Sequence, residues 1–168
     1  MYVVVTGPPA SGKSTLSREL ARELSLPLLA KDTIKQALVE TLGAADVEQS
    51  RLLGSAAVDV LLAVAAEASQ AVLDSVWVDR ASARARLAAL DGVVEVVCEC
   101  DVDTMRARYR ARALHKGPEH FDGARDDQEL WPPEALSPLA AGWPVVTVRT
   151  ADVVDVREVA ERVRQAAR

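Results

Sequence analysis

Aromatic residues are scarce in this 168-residue chain, at 4%, so a core has to be built from Val, Leu and Ala. Cysteine is scarcer still. Cys98 and Cys100 lie two apart in an apolar run, which puts both on one face of a strand. There is no second Cys pair and no suitably spaced His, so two small reduced side chains are expected, not a metal or redox pair. Long apolar runs are also missing. The longest, about 58–78, is interrupted by Asp59, Glu67, Gln70 and Asp74 and makes no membrane span. No basic segment precedes Val3-Val4-Val5, so no signal peptide is read and a cytoplasmic location is expected. Positive charge is in deficit, with a net charge of −5, which argues against a nucleic-acid polymer as partner. Internal repeats and low-complexity tracts are absent.

What is present is a soluble, foldable pattern: 49% hydrophobic and 27% charged residues, interleaved, in a length that fits one domain over 1–168. Tyr2-Val5 reads as a buried strand ended by Gly and Pro. A helix follows from Lys13 to about Leu24, with Leu16, Leu20 and Leu24 on one face. Leu28-Ala30 is a second, short strand. Asp32 is a candidate N-cap for a helix that Gly43 stops, and another helix spans about Asp46 to Gln70. Strands at Ala71-Leu73, Val93-Cys98 and Val145-Val148 complete the set. Helices are expected at Ala83–Leu90, at about Asp103 to Leu114, and after the capping box Asp155-Val156-Arg157-Glu158. Residues 116–133 read as a loop. The alternation predicts an α/β, three-layer fold, with a five-stranded parallel sheet between helices on both faces.

Gly7-Pro8-Pro9-Ala10-Ser11-Gly12-Lys13-Ser14-Thr15 fits the pattern Gly-x4-Gly-Lys-Ser, preceded by a strand and followed by an amphipathic helix. The glycines allow backbone angles that turn amide N–H groups toward phosphates, and the helix N-terminus adds donors and a favourable dipole. Lys13 is placed to reach the β- and γ-phosphate oxygens. Ser14 is placed to put its hydroxyl on a Mg²⁺ ion bridging them. A glycine-rich turn carrying a surface lysine is the plain alternative, and nine matching residues in this frame argue against it. ATP and Mg²⁺ are the expected cofactors.

The loop at the start of a short chain resembles the P-loop kinases of small molecules and nucleotides. Leu29-Ala30-Lys31-Asp32-Thr33-Ile34-Lys35-Gln36 resembles the segment after the second strand in kinases like polynucleotide kinase, zeta toxin and chloramphenicol phosphotransferase. The resemblance implies that Asp32 is the general base toward the acceptor hydroxyl. Lys35 stands where those enzymes carry Arg, and lacks its bidentate fork. The residues agree: a carboxylate at the C-terminal end of a parallel strand can orient a hydroxyl and take its proton. A helix cap without catalytic task is the alternative for Asp32.

Asp74 follows Val72-Leu73 at the end of the third strand, where many P-loop proteins hold Mg²⁺ through water. A strand-terminal turn residue is the alternative. In the resembling kinases this segment also shapes the acceptor pocket, which implies that Trp77, Asp79 and Arg80 lie near substrate; Trp77 reads equally as ordinary core or a partly buried rim residue. Arg106, Arg108, Arg110 and Arg112 alternate along one helix. Arg106 and Arg110 share one face, and Arg108 and Arg112 another about 160° away. The resemblance implies a small Arg-rich lid at about 103–133, with Arg106 and Arg110 on the phosphates and Arg112 in reserve. It also implies that the stretch from His115 to Asp122 touches substrate.

The expected function is therefore an ATP-dependent phosphotransferase acting on a hydroxyl of a small molecule. A kinase of nucleosides, nucleotides or nucleic-acid 5′-hydroxyl ends is the second enzymatic reading. A nucleotide-dependent regulatory ATPase or switch is the third, although the Asn-Lys-x-Asp segment by which small GTPases read guanine is absent.

Overall fold

A strand buried along its whole length, β1 (Tyr2–Thr6), forms the centre of the molecule. The computed structural model describes residues 1–113 and 127–168, and the sequence expectations for His115 to Asp122 lie outside them. β1 is followed by α1 (Lys13–Leu24), β2 (Leu28–Ala30), α2 (Lys31–Leu42), α3 (Val47–Glu67) and β3 (Ala71–Asp74). Then come α4 (Arg80–Leu87), β4 (Val93–Glu99), α5 (Val102–Ala113), the short α6 (Asp127–Leu130), β5 (Val145–Arg149) and α7 (Val156–Ala166). The described strands make one sheet of order β2-β3-β1-β4-β5, and every pairing is parallel. The three-layer α/β architecture expected from the alternation is the one observed.

Alternate residues of the central strands feed two apolar layers. Val3, Val5, Val94 and Val96 pack with Leu16 and Leu20 of α1 and Val159 and Val163 of α7. Tyr2, Val4 and Leu73 pack on the other face with Leu61 and Ala65 of α3, Leu87 of α4 and Leu139. Leu20 and Leu61 are fully buried, and burial of such a side chain stabilises by about 1.5–3 kcal/mol. A third, smaller core lies outside the sheet layers. Met105 and Tyr109 of α5 pack there with Leu130 and Trp131, against Ala10.

Helix ends follow their side chains. Asp46 caps α3 by accepting from Gln49 N, Asp79 caps α4 through Ser82 N, and Asp155 accepts from Arg157 N and Glu158 N. Two expectations change. The cap at Asp79 starts α4 at Arg80, ahead of the expected Ala83. α2 starts at Lys31 with extended Ala30 before it, so Asp32 sits inside the first turn and is not the N-cap residue.

The apolar stretch at 58–78 is divided between a helix that ends at Glu67 and a strand that starts at Ala71. α3 is long and apolar enough to cross a membrane by length and composition. In the fold its residues Leu53, Ala57, Leu61, Leu62 and Ala65 are buried. The segment read as a loop over 116–133 holds α6 and the buried Trp131 within its described part.

Candidate active site

The loop between β1 and α1 lies at the carboxyl ends of the strands, beside the point where the strand order turns from β1 toward β3 on one side and β4 on the other. Gly7 has φ of 141°, and a Cβ there would stand 2.7 Å from Ser11 Oγ and 3.1 Å from the Cys98 carbonyl. Gly12 has φ of 89°, and its Cβ would stand 3.2 Å from Thr150 Cβ. Only glycine fits both places. Lys13 is buried, and its ammonium donates to the Pro8 carbonyl at 2.9 Å, across the loop. Thr150, just after β5, donates its hydroxyl to the Ser11 carbonyl at 2.5 Å and its backbone N–H to Glu99 O at 2.8 Å, which moors the loop to the sheet. Ser11 Oγ is buried with no partner among the described residues. An unpaired donor in a glycine cradle at a helix N-terminus fits an anionic ligand.

Pairing of β1 with β3 sets Val5 against Asp74, bringing this carboxylate to the loop. Asp74 is 5% exposed and hydrogen-bonds the Ser14 hydroxyl. Burial raises its pKa, against the pull of Lys13 and of the Ser14 hydrogen bond. Burial lowers that of Lys13, against the attraction of Asp74. Two adjacent oxygen donors beside a phosphate cradle fit Mg²⁺, which takes few protein ligands and several waters or phosphate oxygens. Among the described residues no group of three His, Cys, Asp or Glu offers a self-sufficient metal site.

A cleft of about 290 Å³ opens over the loop. Its floor is Pro9, Ala10, Gly12, Lys13, Ser14 and Thr15. One wall is α2, with Lys31, Asp32, Lys35, Gln36 and Val39, and Val76 lies at its edge. The facing wall carries Arg108, Tyr109 and Arg112 of α5 together with Leu130. Asp32 is exposed, its carboxylate 3.1 Å from the Lys31 ammonium. Lys35 donates to Ser50 Oγ of α3 at 2.7 Å. The α5 side of the cleft is docked on the loop itself, because Trp131 Nε1 donates to the Pro9 carbonyl at 3.0 Å. Trp131 also meets the Tyr109 ring edge-on, with centroids 5.7 Å apart.

Several expected site residues stand elsewhere. Arg106 binds Asp103 at 3.1 Å and Asp127 at 2.8 Å, and neither it nor the exposed Arg110 lines the cleft. Met105 and Tyr109 are the residues that bury α5, and that orientation turns Arg108 and Arg112 inward instead. Arg108 is itself engaged, donating to Thr150 O at 2.9 Å and Ala151 O at 2.7 Å. Trp77 is 3% exposed, and its indole donates to the Val5 carbonyl at 3.1 Å, so it belongs to the core. Arg80 donates to the carbonyls of Ser137 and Pro138, away from the cleft. Asp79 is the α4 cap. Cys98 is buried and Cys100 lies just past the end of β4, both as free thiols.

Sequence reasoning passed over Tyr109, Leu130, Trp131 and Glu95. Glu95 is a buried carboxylate that accepts from Thr6 Oγ1 at 2.9 Å and from Leu139 N at 2.8 Å. A lone acid inside the run Val93–Cys98, and a Trp inside a polar segment, were the available signals.

Sheet order, loop and cleft define a P-loop nucleotide-binding protein with the fold of the small kinases. A family model described as an AAA domain, AAA_33, matches residues 3–130, and the chain belongs to this family. It is 36% identical over 88 residues to a cytidylate kinase of Pyrobaculum neutrophilum. That match covers 48% of this chain and 48% of the relative, so the chain spans about half the length of the curated relative it matches. Among solved structures, a Chloroflexus aurantiacus protein described as a kinase superposes with a TM-score of 0.81 at 29% identity, covering 98% of this chain and 97% of the other. Shikimate kinase from Acinetobacter baumannii shares the fold, with a TM-score of 0.60 at 18% identity over 98% of this chain and 90% of that one. Family and relatives together support a P-loop kinase.

Proposed function

We propose that this chain is an ATP-dependent phosphotransferase that moves the γ-phosphoryl group to a hydroxyl of a small molecule. The observation that carries the reading is one cleft whose floor is the loop with Lys13 and Ser14 and whose wall presents Asp32. A switch protein has no need of an acid at that place. The acceptor hydroxyl sits by Asp32, its oxygen attacks the γ-phosphorus, and the bond to the β-phosphate oxygen breaks with its electron pair leaving on ADP. The hydroxyl proton passes to the Asp32 carboxylate. Lys13 meets charge on the β- and γ-oxygens, and Arg112, exposed on the facing wall, is the lid cation nearest this task by its position. Ser14 and Asp74 would hold Mg²⁺, which when bound neutralises phosphate charge and orients the nucleotide. Tyr109, Leu130 and Trp131 exclude water from this side of the cleft.

The narrower kinship to polynucleotide kinase, zeta toxin and chloramphenicol phosphotransferase stays part of this proposal, as do ATP as donor, a cytoplasmic location and 1–168 as a single catalytic domain. A nucleotide kinase is the second reading, favoured by the match to cytidylate kinases.

The test is a panel of hydroxyl acceptors incubated with γ-labelled ATP and Mg²⁺, in which label moves to an acceptor and Lys13→Ala abolishes the transfer. Release of label to water alone, at a rate no acceptor changes, would sink the kinase reading in favour of a regulatory ATPase.

A further inference from the structure

Carbonyls of the phosphate loop are held by donors from three directions. Lys13 takes that of Pro8 at 2.9 Å, Thr150 that of Ser11 at 2.5 Å, and Trp131 that of Pro9 at 3.0 Å. Trp131 belongs neither to the helix that follows the loop nor to the sheet; it stands just after α6 and is buried. It does not line the cleft, so it acts on a bound nucleotide only through the loop. Pro8 and Pro9 carry no N–H, which leaves Ala10 with the first amide after Gly7 that can turn to a phosphate. The next amide, of Ser11, is turned to the Pro8 carbonyl at 3.3 Å. In a planar trans peptide the carbonyl and the N–H that follows it point opposite ways. The bond from Trp131 to the Pro9 oxygen therefore turns the Ala10 N–H away from Trp131. Ala10 itself has φ of 62°, a left-handed conformation that a residue other than glycine keeps only where its surroundings impose it. Those surroundings are the small core of Met105, Tyr109, Leu130 and Trp131, against which Ala10 packs. The indole is fixed in turn, by the edge of the Tyr109 ring at 5.7 Å and by the bond from Trp131 N to Asp127 O at 2.9 Å.

We infer that Trp131 is a positioning residue for phosphate binding: its indole N–H holds the peptide between Pro9 and Ala10 in the orientation that presents the Ala10 N–H to the phosphates of the nucleotide. The inference rests on the loop holding a nucleotide, as in the reading above. Without the indole N–H the Pro9 carbonyl has to find another donor, and Ala10 is free to relax from its left-handed conformation. Rotation of that peptide puts a carbonyl dipole where an anion has to bind, in place of a donor. Two prolines have already removed two amides from the start of the loop, so the one at Ala10 has no neighbour to replace it. The effect falls on the phosphates and spares the nucleoside, because the loop meets only the phosphates. A merely structural Trp131 would instead loosen the whole cleft and weaken every ligand alike.

Trp131→Phe tests this, since it keeps an aromatic ring against Tyr109 and removes the N–H. Calorimetry on the full chain measures the binding of Mg-ATP, tripolyphosphate and adenosine. ATP and tripolyphosphate should bind the variant about tenfold more weakly, as for one hydrogen bond lost to a charged group, with adenosine within twofold of the parent. The parent protein gives a second readout that does not depend on the variant folding. Its Trp131 Nε1–H resonance, assigned through its proximity to the Tyr109 ring, should shift on addition of tripolyphosphate, because an amide that donates to an anion polarises the carbonyl of its own peptide. Adenosine should leave that resonance in place. Unchanged tripolyphosphate affinity in Trp131→Phe, an equal weakening of adenosine, or an indole resonance that tripolyphosphate does not move would overturn the inference while the nucleotide-binding and kinase readings stand. Failure of the parent protein to bind either ATP or tripolyphosphate would remove those readings and this inference together.

Discussion

Replacing the arginines of α5 one at a time separates the two faces of the helix. Arg106 is 38% exposed and holds two exposed carboxylates. Exposed pairs contribute about 0–1 kcal/mol, and for a chain this size 1 kcal/mol moves Tm by roughly 2–4 °C. Arg106→Ala should therefore lower Tm by a few degrees at most and leave kcat within twofold. Arg110→Ala, exposed and outside the cleft, should change neither. Arg108→Ala strips a charged donor from two carbonyls at 2.9 and 2.7 Å. Hydrogen bonds to charged groups are worth about 1.5–3 kcal/mol, and water replaces part of the loss at a half-buried site. The net cost should be about 2 kcal/mol, a Tm loss of roughly 4–8 °C. Arg112 lies 5.4 Å from the Tyr109 ring centroid, a contact worth about 0.5–1 kcal/mol when exposed. Its removal should barely touch Tm but lower kcat by about 10²–10³ if it meets charge developing on the phosphates. Thermal unfolding and ADP-release kinetics read both columns. A wild-type kcat in Arg112→Ala, with a large loss in Arg106→Ala or Arg110→Ala, would refute the orientation of α5 described above.

Further outcomes follow from the buried groups. Gly12→Ala should weaken nucleotide binding tenfold or more by calorimetry, because φ of 89° and a Cβ 3.2 Å from Thr150 Cβ leave no relaxed geometry. Glu95 has its pKa raised by burial above the ordinary 4.5, so its contribution is fully present below 4.5 and lost as pH rises through the raised value. In urea unfolding the difference between Glu95→Gln and the parent should therefore shift toward the variant as pH rises from 4.5 to neutral. A difference that stays flat would contradict a raised value. The Cys98 thiol is pushed up to about 12 by burial, so at pH 8 about one molecule in 10⁴ carries the thiolate. Mass spectrometry after brief alkylation of the folded protein should find Cys98 unmodified.

The strands and the phosphate loop were legible because their signals are local: β-branched runs, glycine spacing and a four-residue Leu repeat. Asp74 was legible as a strand end. That it stands beside Ser14 depends on β3 pairing with β1, and no local pattern in the sequence gives strand order. The cleft-facing side of α5 was not legible, since its arginines alternate evenly around the helix. Tyr109, Trp131 and the Pro9 carbonyl decide the matter across about 120 residues of chain. Trp77 read equally as a pocket residue, through the resemblance, and as core, and its indole's bond to the Val5 carbonyl puts it in the core. Asp32 read as the acceptor's general base, with a helix cap as the alternative. α2 starts two residues earlier than a cap at Asp32 would have it, which puts Asp32 in the first turn, where it lines the cleft.

Asp32→Asn is the most direct test of the central claim, since the amide keeps the shape of the side chain but cannot take a proton. Transfer of label from γ-labelled ATP to the best acceptor is measured beside the affinity for ATP. The account predicts a loss of transfer of about 10²–10⁴, with ATP affinity within twofold of the parent. Undiminished transfer by Asp32→Asn would contradict it.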